Sequence, residues 1–179
     1  MIEQKDKRTT RLENGTPLEI IETLLNSIHN YYNRQIDVAV EANAWDLAFI
    51  GIHSVAVTIG EGLFGDKSLT AFTRFLKEFV DTDEQGYNFS EIAKQLHDWR
   101  NVLVHRWLSE QGYDFGFDME QAEGWRTVDD VVLLNPKHFH KAFNQAFVAG
   151  GKIWNWQNVL SEDEQQEAKA RLLANYHRK

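Results

Sequence analysis

From Leu18 onward apolar residues return every three or four positions, through Ile21, Leu25, Ile28 and Tyr32, which is the spacing of one helix face, and nothing breaks the run before about Ala42. Thr16-Pro17-Leu18-Glu19 marks its start: a hydroxyl to cap, proline at the first helical position, and a glutamate three residues after the cap. A second helix is predicted to 63, with Asn43 and Asp46 offering the cap logic again; it is apolar nearly all round, which implies burial on more than one side. Phe64-Gly65-Asp66 closes it. Ser68 is then placed to cap a short amphipathic helix carrying Leu69, Phe72, Phe75, Leu76 and Phe79. The acidic, glycine-containing stretch 81–88 reads as a loop, and a fourth helix runs from near Ser90 to about Gln111, with Gly112 as its stop.

Beyond Gly112 the period changes from helical to alternating. Tyr113, Phe115 and Phe117 face one way while Asp114, Gly116 and Asp118 face the other, and Val131 to Leu134 makes a second β-like run, so a hairpin or two-stranded ribbon is expected. Such alternating aromatics are read first as one face of a sheet packed on a core, with stacking on bases as the functional alternative. Asn135-Pro136 starts a fifth helix with Phe139, Phe143, Phe147 and Ile153 as its contacts and an interruption at Gly150-Gly151. Ser161 and Glu164 form a capping box for a charged final helix to about Tyr176. Trp154 and Trp156 sit two apart, so a straight helix turns only one inward and leaves the other as an interface anchor. The reading is an all-α, antiparallel helical bundle with a small β-hairpin insertion after the fourth helix. Its parts are a polar lead (1–16), a bundle core (17–111), the insertion (112–135) and a helical extension packing on the same domain (136–179).

At 179 residues, 42% of them hydrophobic and 26% charged, the chain suits one folded domain, and only 2 prolines leave long helices unbroken. The balance of 19 basic against 27 acidic residues gives a charge of -8, the wrong sign for coating nucleic acid, so any such contact must be local. With 0 cysteines there is no disulfide framework, thiol nucleophile or thiolate metal site. The first residues lack the apolar stretch of a secretory signal. The most apolar segment, Ala44 to Leu63, carries Asp46, His53 and Glu61, and a carboxylate at mid-bilayer costs about 2 to 3 kcal/mol, so it is expected to be a buried helix of a cytoplasmic protein that does not cross a membrane.

Phosphate-binding loops, dinucleotide fingerprints and zinc-protease or serine-hydrolase motifs are absent from the sequence. His138 and His140 fall on well-separated sides of a helix and make a poor metal pair, so no metal or cofactor is expected. His53, inside the apolar helix, is expected to be a hydrogen-bonded core histidine. The helix from Ser90 is the one with unexplained polarity. Ile92, Leu96, Trp99, Leu103 and Trp107 form the stripe a bundle helix needs, but beside it His97, Arg100, Asn101, Val104, His105 and Leu108 mix apolar with ionisable groups. Such a sector suggests a second contact surface, most simply the same helix of a second subunit across a two-fold axis.

In that sector Arg100-Asn101-Val102-Leu103-Val104-His105, within HDWRNVLVHRWL at 97–108, resembles the signature of the HEPN superfamily, an arginine, a polar residue and a histidine four to six positions later on one helix. The resemblance extends over the preceding long helices, about 17–111, though its specific part is a dozen residues. It implies a homodimer through the fourth helix and a metal-independent endoribonuclease of the toxin or defence kind, with RNA as substrate and an antitoxin or other protein as partner. It also admits noncatalytic members that bind a nucleotide or a protein. In the catalytic reading His105 moves protons, Arg100 faces the charge that builds on phosphorus oxygens, and Asn101 orients one of them. His97, Arg106 and Trp107 are the neighbouring candidates for substrate contact. Trp107 stands where modification-controlled members have a tyrosine, so that form of control is in doubt. The alternative to catalysis is structural: Arg100 satisfies a buried carboxylate such as Glu61 or Glu91. RNA binding further requires Arg74, Lys94, Arg100 and Arg106 to make a basic patch. A second match to the spacing, Arg171 with His177, is read as coincidence.

Overall fold

The computed structural model describes residues 14–84, 86–106 and 114–176, with His105, Arg106, Asn175 and Tyr176 described as backbone only. The chain enters its first helix, α1 (Pro17–Ile28), through the predicted box: the Thr16 hydroxyl accepts the Glu19 N–H, and the Thr16 N–H donates to the Glu19 carboxylate at 2.7 Å. A π-helical turn, His29–Asn33, then leads into α2 (Arg34–Glu41). The wider turn shifts the helical register, which is why Asn33 is buried and Tyr32, expected on the inward face, lies 54% exposed.

Asn43 does not cap the next helix. Its φ of 56° is left-handed, so it ends α2, and α3 (Trp45–Phe64) begins without a side-chain cap. α3 is the centre of the bundle, with ten of its residues buried and with α2 and the helices at Ser68–Phe75, Ala93–Arg106, Pro136–Phe147 and Glu162–Tyr176 all packed on it. It is long and apolar enough to cross a membrane by length and composition, and 56% of its apolar window is buried inside the bundle. Gly65, at φ 76°, closes it as expected.

α4 (Ser68–Phe75) runs into a second π-helical turn, Leu76–Val80. Lys67, not Ser68, is the residue at its cap, and Ser68 is the first helical residue with an unusual φ of 50°. α4 lies so close to α3 that a Cβ on Gly60 would sit 2.4 Å from the Ala71 carbonyl oxygen. A 3-10 turn, Phe89–Ile92, leads into α5 (Ala93–Arg106), which packs on both α3 and α4. The predicted continuation of this helix to 111, with Trp107 and Leu108, lies outside the described residues, as do Tyr113 of the predicted ribbon, the lead 1–13 and His177.

The insertion is a three-stranded sheet, ordered β1 (Phe115–Phe117), β3 (Val131–Leu134), β2 (Trp125–Val128). This corrects the expected ribbon. The two predicted strands pair in parallel, Phe115 opposite Val132, and the hairpin is made by β2 with β3. It turns on Asp129 and Asp130, both at positive φ, the geometry of a type I′ turn. Phe115 is buried against Trp99 and Phe49, with ring centroids 5.3 and 6.3 Å away, so these aromatics serve the core.

α6 (Pro136–Phe147) is capped by Asn135, whose side-chain oxygen accepts the N–H groups of Lys137 and His138. A 3-10 segment, Lys152–Asn158, bends at Asn155, and the bend lets both tryptophans pack: Trp156 is buried, and Trp154 donates its indole N–H to the Phe147 carbonyl at 3.0 Å. Trp154 is therefore held by its own chain and is not a free anchor. α7 (Glu162–Tyr176), started by the Ser161–Glu164 box, packs on α1 and α3. From α7, Arg171 donates to the Gly62 and Leu63 carbonyls at 3.3 and 2.7 Å, satisfying the C-terminal end of α3.

Candidate functional site

Three helices contribute to one open polar cleft of about 400 Å³. α5 supplies His97, Arg100 and Asn101, which its periodicity places on one face at i, i+3 and i+4. α3 supplies His53 and Glu61, and α4 supplies Ser68 from its first turn. The close α3–α4 approach at Gly60 brings that turn over the cleft. Glu61 accepts the Ser68 backbone N–H at 3.0 Å, which fastens the start of α4 to α3 and engages one oxygen of the carboxylate.

Arg100 donates from Nη1 to the side-chain oxygen of its neighbour Asn101 at 3.1 Å. Its Nε is buried and has no hydrogen-bond partner, and among the described residues the guanidinium forms no ion pair with Glu61 or Glu91. The structural alternative, an arginine spent on a buried carboxylate, is therefore not what these residues show. A buried N–H that lacks an acceptor is costly, and an anionic ligand in the cleft would relieve it.

The histidines form a chain. His53, 3% exposed, places Nε2 3.0 Å from Nδ1 of His97, and Nε2 of His97 lies 3.4 Å from the Ser68 hydroxyl. Burial, and secondarily the nearby His97 and Arg100, holds the His53 pKa down to about 3, so its ring is neutral at pH 7. Burial also lowers His97, with Arg100 pulling the same way and Asp98 opposing. The expectation of a hydrogen-bonded core histidine at 53 holds, but its partner turns out to be a cleft residue. Sequence reasoning did not bring His53 or Ser68 to the motif, and it brought Glu61 only as a structural partner for Arg100. A usable signal was that His53 and Glu61, eight positions and so about 80° apart around the axis, are two of the few ionisable groups in a mostly apolar helix.

Of the other predicted residues, His105 and Arg106 belong to the last turn of α5, their side chains outside the description, and Trp107 is outside it altogether. Val104 is 36% exposed on the same helix. The expected basic patch is not assembled by Arg74 and Lys94. Arg74 lies 3.6 Å from both Asp66 and Glu164 and over the Phe64 ring, and Lys94 pairs with Asp98 at 2.6 Å. Each cation has been claimed by a neighbouring carboxylate. His138 and His140 diverge as expected: His138 bonds the Tyr87 hydroxyl, and His140 bonds Asp37 at 2.8 Å. Among the described residues no group of three or more ionisable side chains is arranged to hold a metal ion. Arg171 is occupied with helix carbonyls, and its motif partner His177 lies outside the described residues.

No protein-family model matches the chain, and no curated protein and no solved structure matches it either.

Proposed function

We propose that this protein is a metal-independent endoribonuclease of the HEPN toxin or defence type, cytoplasmic and homodimeric through α5, that cleaves RNA by attack of its own 2'-hydroxyl. The reading is carried by Arg100: a guanidinium uncommitted to any described carboxylate, with an unsatisfied Nε, in an open cleft beside Asn101 and within the Arg100–His105 motif. A planar cation in such a place matches the oxygens of a phosphodiester and stabilises the extra charge of a pentacoordinate phosphorus. His105 supplies proton transfer in this reading, and the two-fold axis brings a second copy of the pair to the same crevice.

The test is incubation of purified protein with mixed RNA in chelator, beside Arg100→Ala and His105→Ala. Cleavage by the wild type with cyclic phosphate ends, lost in both variants, is the expected outcome; intact RNA under all conditions from a folded protein rejects the enzyme. The neutralised Arg74 and Lys94 favour a second reading, a noncatalytic module that binds a nucleotide or a protein partner, since without them sequence-independent affinity for RNA is weak. That reading predicts a folded dimer with no turnover.

A further inference from the structure

We propose that His97 is the general base of the cleavage step and that buried His53 is the positioning residue that holds and tautomerises it, so each chain carries a second imidazole besides that of His105. The proposal rests on the ribonuclease reading and adds to it a residue outside the Arg100–His105 motif.

The geometry is that of an oriented base. The Nε2 of His53 and the Nδ1 of His97, 3.0 Å apart, share one proton. His53, buried on α3, lies against the Phe72 ring of α4 in a tilted contact with centroids 4.3 Å apart, so its ring is fixed and it fixes its partner. With the shared proton on His97 Nδ1, the lone pair of His97 is on Nε2. His97 lines the cleft, and the Ser68 hydroxyl, which lines it too, lies 3.4 Å from that nitrogen, so an alcohol reaches it there. Arg100, one turn along α5, lines the same cleft, so a phosphodiester on the guanidinium brings a ribose hydroxyl within reach of the imidazole.

The step balances without a co-reactant. Nε2 of His97 takes the proton of the 2'-hydroxyl, the O2'–P bond forms, the P–O5' bond breaks, and the electron pair left on O5' takes a proton from the His105 imidazolium. The products are a 2',3'-cyclic phosphate end and a 5'-hydroxyl end. The groups around His97 are His53 from α3, the Ser68 hydroxyl from α4, and Asp98 and Arg100 from α5, with Glu61 of α3 lining the same cleft. Its lowered pKa keeps it unprotonated, as a base must be, at neutral pH.

The experiment is single-turnover cleavage of a labelled single-stranded RNA in chelator from pH 5 to 9, with binding of the all-2'-deoxy strand measured alongside. His97→Ala should lower the rate by about 10²- to 10⁴-fold, the usual worth of a general base, and abolish the acidic limb of the pH profile, while the deoxy strand binds within about threefold of wild type. His53→Gln should move that limb and retain part of the rate. A His97→Ala protein that cleaves within tenfold of wild type, while Arg100→Ala and His105→Ala are inactive, overturns this proposal and leaves the ribonuclease reading standing; a wild type that cleaves nothing removes both. Should His53→Gln fail to fold, nitrogen-15 titration of the wild-type rings decides: His53 must stay neutral from pH 5 to 8 and His97 must titrate below an ordinary histidine. A His53 ring that titrates near its ordinary value overturns the pairing.

Discussion

Two hollows flank the central helix, and they share Ser54 and Thr58 as a common wall. The larger, about 500 Å³ between α1, α2 and α3, is lined chiefly by Leu24, Ile28, Ile36, Leu47 and Val55. The smaller, about 400 Å³, holds His53, Glu61, Ser68, His97, Arg100 and Asn101. Volume alone would choose the first. Between the two, chemistry chooses the second, because there a cation, two imidazoles and a hydroxyl converge and the buried Nε of Arg100 goes without an acceptor among the described residues. One amphipathic face of α3 thus packs helices while the other displays reactive groups.

The comparison is broken most directly by one substitution on each side. Arg100→Ala should cost RNA cleavage about 10²- to 10³-fold, the range for removing one preorganised donor. Leu47→Gln, at a position 53% exposed in the apolar hollow, should leave the rate within about twofold, since surface changes away from special features are nearly neutral. Equal losses from the two, measured in the same assay, would dissolve the distinction.

Gly60→Ala tests whether the cleft depends on helix packing. The new methyl would meet a backbone oxygen at 2.4 Å, so α3 and α4 must separate, with an expected loss of about 3 kcal/mol in urea unfolding. Because α4 carries Ser68, the same variant should also loosen the cleft, seen as weaker cleavage under conditions where the protein stays folded.

A smaller effect comes from pH. His53 binds its proton at about 3 when folded and near 6.5 when unfolded, so between those values the unfolded state holds more protons. Stability from this group is complete above about 6.5 and falls as pH drops toward 3. Lowering pH from 7 to 5 should cost about 2 kcal/mol in thermal or denaturant unfolding. His97, lowered for the same main reason, adds in the same direction. In His53→Phe the slope over this window should flatten; an unchanged slope would show that His53 is not the source.

The smallest expected effect isolates backbone strain. Ser68→Gly and Ser68→Ala both remove the hydroxyl near His97, but only glycine relaxes a φ of 50°. The glycine variant should therefore be the more stable of the two by about 1 kcal/mol in paired melts.

The features legible in the sequence were those written within a few residues. The Thr16–Glu19 and Ser161–Glu164 boxes, the Gly65 stop and the Asn135-Pro136 start all formed as the local chemistry required. What was missed depends on partners far along the chain. Asn43 and Ser68 look like caps because they have the right side chains, but both take left-handed backbone imposed by the packing of flanking helices. β2 carries no alternation because Arg126 to Val128 is exposed throughout, and its turn uses Asp-Asp where Asn-Gly would have announced a hairpin. In the cleft the i, i+3, i+4 set His97, Arg100, Asn101 was readable on one helix. His53 was not, since its contact bridges 44 positions.

The clamp of Arg171 on Gly62 and Leu63 sets a timetable for synthesis. Glu61, one residue before the clamped carbonyls, helps wall the cleft, yet the guanidinium that finishes that end of α3 emerges from the ribosome 108 residues after Leu63. A nascent chain has every cleft residue outside well before the helix bearing five of them is secured, so the crevice matures only once Arg171 has emerged.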